Sequence, residues 1–251
     1  RDGKLNALKT ILIAISTIPS QNRAEKDGFK QNFLNQVGAF NEEEIETMYI
    51  FIKQQTTDWW QGFLSEYILK NFQIIQQLIN NPNNSLFRLR FVWDKRGDII
   101  AEETFYNYFV SLLKPETVND NSLQEWSKFL EEYVSKLNED FQNKYIDELQ
   151  KLVENIQINI SLERRKIYSS LVLSFVRHQS EDEQLEIASK YLTYLKNRDN
   201  NLQAIGIDSL PEVKEIFSRK DFKLYFNNAA KEIFQKSLGE IIRYKTSIIK
   251  I

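Results

Sequence analysis

Apolar positions recur every three or four residues along almost all of this chain, a spacing that lines side chains along one face of an α-helix. Between 57 and 80 the step is kept by Trp60, Phe63, Leu64, Tyr67, Ile68, Ile74, Ile75, Leu78 and Ile79. Between 122 and 157 it is kept by Leu123, Trp126, Leu130, Tyr133, Leu137, Phe141, Tyr145, Leu149, Leu152 and Ile156. Helices of globular proteins are seldom that long, so the second run is read as two helices, with Asn138 or Asp140 capping the new start. Near the beginning, Leu5, Leu8, Ile11, Leu12 and Ile15 share a face. The apolar stretch 11–19 is therefore read as a buried helix rather than a secretory leader.

Start signals support the periodicity. Asn41 with Glu44, Ser122 with Glu125, Ser180 with Glu183 and Ser209 with Glu212 all have capping-box form. In such a box a side-chain oxygen accepts from an orphan amide while the glutamate reaches back to the cap. The pattern predicts helices over 3–17, 22–37, 41–55, 57–80, 99–113, 122–138, 141–157, 161–178, 181–197, 210–219 and 221–246. The expected fold is all-α, with ten to eleven mostly antiparallel helices in a bundle or irregular α-solenoid. It would form a single helical domain over 1–251, or a segment of a larger protein, with a possible subdivision into 1–114 and 122–251. A chain starting at Arg1 without an initiator methionine suggests a segment or a processed product.

One stretch breaks the rhythm. In "SLFRLRFVWDKRGDII" (85–100), Phe87, Leu89, Phe91 and Trp93 alternate with Arg88, Arg90 and Val92. Strict alternation is the strand period. This segment could be extended, turning at 94–97 into a small β-hairpin, or it could be helical over 85–94 with Leu86, Leu89 and Val92 or Trp93 inward.

Composition fits this picture. The chain has 251 residues, 42% apolar and 27% charged, close to ordinary folded proteins, so a packed core rather than disorder is expected. Only 7 glycines and 4 prolines are present, too few for the turns of an all-β fold or a phosphate-cradling loop. A net charge of −2 supplies no global field for a polyanion. Without cysteine there is no disulfide framework and no thiolate chemistry, which fits a cytoplasmic location. No apolar run approaches the ~18 residues that cross a bilayer.

Catalytic chemistry finds little footing. His178, the one histidine, sits in "FVRHQS", where a helix end explains it better than a triad or a zinc site. Glu42, Glu43, Glu44 and Glu46 follow a cap, where negative charge suits the helix dipole. The pairs Glu102–Glu103 and Glu131–Glu132 diverge by about 100° on a helix. Neither phosphate-loop nor dinucleotide-binding glycine motifs occur. "RGD" at 96–98 and the sequons at Asn83 and Asn159 are expected to be chance matches, and Trp59-Trp60 core and boundary. No catalytic residue, metal or cofactor is therefore assigned.

The expected function is a non-catalytic interaction, scaffold or regulatory module with a protein partner. The contact site would be Arg88, Arg90, Trp93, Lys95 and Arg96, with a secondary basic patch at Arg164, Arg165 and Lys166. Arginine beside an aromatic can also grip phosphate and stack bases, so nucleic-acid or phosphate binding through 87–96 is the first alternative. An enzyme with carboxylates gathered from distant helices is the second.

Overall fold

In a computed structural model, residues 2–154 and 161–176 are described. They are 81% helical and contain no strand, against about one third helix in an average globular protein. The fold is all-α. The expected helices 181–197, 210–219 and 221–246 lie outside the described residues, as does His178.

The elements follow in order: α1 (Asp2–Thr17), a 3-10 turn at Ser20–Asn22, α2 (Arg23–Gln36), a second 3-10 turn at Val37–Ala39, α3 (Glu42–Lys53), α4 (Asp58–Gln77) and α5 (Pro82–Lys95). After these come α6 (Glu102–Leu112), α7 (Asp120–Val134), α8 (Glu139–Glu154) and α9 (Leu162–Val176). The chain divides into two compact units, with the division between Tyr108 and Phe109 inside α6.

The first unit is organised around α4, which packs against α2, α3 and α5. Its inward stripe is Trp60, Phe63, Tyr67, Ile68, Ile74 and Ile75, all buried, as the spacing requires. Ile45, Met48 and Ile52 of α3 and Leu89 and Val92 of α5 are fully covered too. Each such side chain contributes about 1.5–3 kcal/mol of hydrophobic stabilisation. On α1 the buried stripe is narrower than the sequence suggested. Leu8, Leu12 and Ile15 are covered, whereas Ile11 is 38% exposed because it lies a step off the contact line.

In the second unit α7, α8 and α9 pack on one another. Trp126, Leu130 and Tyr133 of α7, Tyr145 and Leu149 of α8, and Tyr168, Leu171 and Val172 of α9 are buried. The long run splits where expected: the Asn138 side chain accepts from the Phe141 amide at the start of α8.

The caps divide differently. Asn41 and Glu44 form the full reciprocal box at α3. Glu44 also accepts from Lys4 at 2.9 Å, which ties α1 to the same cap. Burial works against ionisation of Glu44. The Asn41 amide and Lys4 outweigh it and hold the carboxyl below its ordinary value. The stability this group contributes is therefore present above its unfolded pKa and lost as pH falls through its folded one. Ser122, in contrast, is not a cap. Asn119 accepts from the Ser122 amide, so α7 begins earlier and Ser122 lies within its first turn. An N41A variant is expected to lose about 1 kcal/mol in a denaturant melt, since the Oδ1 that accepts from the Glu44 amide is removed while the backbone N–H of residue 41 still donates to Glu44.

Segment 85–100 is helix α5 and the turn that follows, so the hairpin reading is corrected. Pro82 occupies the first turn, where its missing N–H costs nothing. Gly97 follows the helix at φ 42°, a left-handed conformation that side chains disfavour, and it redirects the chain towards α6.

Candidate functional site

The arginine-bearing stretch does not present its first cation to solvent. Arg88 is 3% exposed. Its guanidinium donates to Asn71 Oδ1 at 2.6 Å and to the carbonyls of Val37 (3.0 Å), Gly38 (3.2 Å) and Phe40 (2.7 Å). Arg88 thus braces the 3-10 turn between α2 and α3 against α4 and α5. Were the segment extended, Arg88 would face outward with the other cations; the helix places it on the buried side instead. Arg90 is exposed on the opposite face. Lys95 pairs with Glu46 at 3.4 Å and stands 4.6 Å from the Tyr49 ring centroid. Arg96 lies 3.9 Å over the ring of Trp93, itself buried, and donates to the Trp93 carbonyl. These residues share α5 and its C-terminal turn, and none of them lines the cleft between α1, α2 and α4.

Arg164 of the secondary patch is likewise interior, 1% exposed. It donates to Asp120 at 2.6 Å, to the Leu113 carbonyl and Tyr168 hydroxyl at 3.2 Å each, and to the Val118 carbonyl. The side chains of Arg165 and Lys166 lie outside the described residues. In the acidic cluster, Glu44 is committed to Asn41 and Lys4. No group of His, Cys, Asp or Glu among the described residues is arranged to hold a metal ion.

Geometry singles out another place. A cleft of about 820 Å³ opens in the first unit between the end of α1, α2, the 54–57 loop and the start of α4. One wall is built of aromatic rings. Trp59 and Trp60 meet edge-on at 5.0 Å, and Trp60 stacks on Phe63 at 5.4 Å. Against them α2 sets Lys26 and Lys30, one turn apart. Lys30 donates to Glu66 at 2.6 Å and lies 3.7 Å from Asp27. Asp27 also accepts from the Trp59 indole N–H at 2.8 Å and lies 3.8 Å from Arg23.

Lys26 differs from its neighbours. It is 7% exposed, its ammonium lies 4.6 Å from the Trp59 centroid and 5.8 Å from that of Trp60, and it makes no hydrogen bond or ion pair with any described residue. Cation–π attraction holds it there and leaves its three donors for the cleft. Hydroxyls and amides of Ser16, Ser20, Gln55, Thr56 and Thr57 make much of the remaining lining.

Sequence reasoning missed Lys26 and Lys30, because lysine on a helix reads as solvated surface. Their spacing of four, together with the Trp59-Trp60 pair, was the available signal. Only the fold brings the two together, across more than thirty residues of chain. Compared with protein-family models, curated proteins and solved structures, the chain matches none of them.

Proposed function

We propose that this chain is a non-catalytic binding module whose cleft in the first unit holds a segment of a protein partner. One observation carries the reading: Lys26 is buried over two indoles at a cleft wall, with no anionic partner of its own. The stem of Lys26 is covered by the indoles while its ammonium reaches the cleft, so an anionic group of a ligand can pair with it without displacing another partner. The cleft is as large as many ligand sites, yet its lining is richer in hydroxyls and amides than a small-molecule pocket needs. Such groups suit a peptide backbone. A nucleic-acid strand fits less well, since Asp27, Asp58 and Glu66 share the lining and would repel successive phosphates. The ion pair of Lys95 and the stacking of Arg96 engage those cations within the unit, so the cleft rather than 87–96 carries the proposal.

Gly62 supplies a clean test. It lies on the cleft wall in α4, is exposed, and a Cβ added there meets nothing within 4 Å. Gly62→Trp fills the cleft while improving helix propensity by about 0.5 kcal/mol, so Tm should hold or rise. A random-peptide display library panned on the full chain should enrich peptides whose binding this variant abolishes. Enrichment of no peptide, or binding indifferent to Gly62→Trp, would sink the reading.

A further inference from the structure

The start of α4 faces the same cleft, and its capping is incomplete. Thr57 takes the N-cap position with extended backbone but makes no side-chain cap hydrogen bond. The amides of Trp60 and Gln61 turn back to the Thr57 carbonyl. Those of Asp58 and Trp59 donate to no acceptor among the described residues. Two orphan N–H groups at the positive end of a long helix attract an anion. A helix end alone would decide nothing, because water satisfies such amides. Here a second feature points the same way: Lys26, more than nine-tenths buried, is held over the ring of Trp59, the second residue of that helix. Helical side chains lean towards the N-terminus, so the Trp59 ring, and with it the ammonium 4.6 Å from its centroid, is directed towards the amino end of α4.

We propose that the amino end of α4 and the ammonium of Lys26 form a carboxylate subsite, which takes an acidic side chain of a peptide lying in the cleft. This rests on the reading of the cleft as a peptide site and specifies which peptides it selects. A single carboxylate matches two amide donors and one cation. A phosphate dianion would bring further charge towards Asp58 and Asp27, the lining carboxylates nearest in sequence to these donors. Aliphatic carbons beside the carboxylate would lie on the Trp59 face.

Thr57→Asp distinguishes a ligand subsite from a merely imperfect cap. An aspartate there supplies its own carboxylate to the orphan amides, so the helix gains its cap and the ligand loses its place. The probes are acetyl-Gly-Ser-Glu-Gly-Ser-amide, the same peptide with Gln for Glu, and inorganic phosphate. Binding is read from the indole N–H resonances of the ¹⁵N-labelled full chain. The Glu peptide is expected to bind about tenfold more tightly than the Gln peptide, a charge-assisted preference. Lys26→Gln and Thr57→Asp should each erase that preference, Thr57→Asp with Tm unchanged or raised. Equal binding of the two peptides, or a preference surviving both substitutions, overturns the subsite. If Gly62→Trp still abolishes such binding, the cleft stands as a peptide site without it. Phosphate binding as tightly as the Glu peptide overturns the assignment to a peptide carboxylate. Failure of both peptides to bind overturns the subsite, and the cleft reading then stands or falls on the display library alone.

Discussion

Arg88→Met is expected to remove about 3 kcal/mol from the stability of the first unit, or roughly 15 °C of Tm for a unit of this size. Methionine keeps the length of the stem, so packing changes little. What is lost is the fork that donates to Asn71 and to three main-chain carbonyls. Buried acceptors stripped of their donor cost about 1–3 kcal/mol each when water cannot reach them, and partial rehydration of the exposed turn at Gly38 limits the sum. Burial depresses the pKa of Arg88, and nearby Tyr67 opposes the shift only in part. Arginine nonetheless stays charged throughout the usable pH range. Arg88→Lys should recover about half of the loss, because an ammonium donates three bonds but cannot span the same acceptors. A loss below about 0.5 kcal/mol for Arg88→Met would show that the carbonyls are rehydrated and that the brace is dispensable.

Arg164→Met should have an effect of similar size, about 3–4 kcal/mol, on the second unit. Arg164 connects α9 to the Leu113 and Val118 carbonyls ahead of α7 and to Asp120 in its first turn. Its removal also leaves Asp120, among the described residues, with the Ser161 hydroxyl as its remaining side-chain donor. That hydroxyl and the guanidinium hold the Asp120 carboxyl below its ordinary value. A depressed acid contributes stability above its unfolded pKa and loses it as pH falls through the folded one. The wild-type unit should therefore weaken on acidification below the ordinary carboxylate range, and Asp120→Asn should flatten that limb. Fluorotryptophan labelling separates the two effects. Trp59, Trp60 and Trp93 report the first unit, and Trp126 is the one tryptophan of the sequence beyond Tyr108. Arg88→Met should shift the melting of the first three signals, and Arg164→Met that of the fourth. If both substitutions moved all four signals equally, the stabilities of the units would not be separable.

These two arginines also explain where the sequence was legible and where it misled. Apolar stripes at helical spacing placed α1, α3, α4 and the split between α7 and α8, because burial of one face determines where such a helix lies. On α5 the same rule was obscured by one residue. Counted as surface, Arg88 leaves an alternating string that resembles a strand. Counted as core, it completes a helical row of Ser85, Arg88, Leu89 and Val92, all buried. Arg164 does the same for Tyr168, Leu171 and Phe175. An arginine is affordable inside only if its donors are met, and those acceptors lie some fifty residues away along the chain. Local patterning cannot register them. The cleft was hidden for the same reason, since Lys26 and Trp59 become neighbours only after α2 and α4 pack.

Three of the four acceptors of Arg88 and two of the four of Arg164 are backbone carbonyls, a group that every amino acid carries, proline included. Gly38 and Ala39 in the first unit, and Lys114, Pro115 and Glu116 in the second, are exposed, so residue identity there can drift without altering what the guanidinium grips. Length is another matter. One residue inserted or deleted at 37–40 or 113–118 displaces the carbonyls themselves and leaves a buried charge facing the wrong atoms. Each brace thus measures the chain rather than reads it, and these connections tolerate spelling changes far better than changes in length.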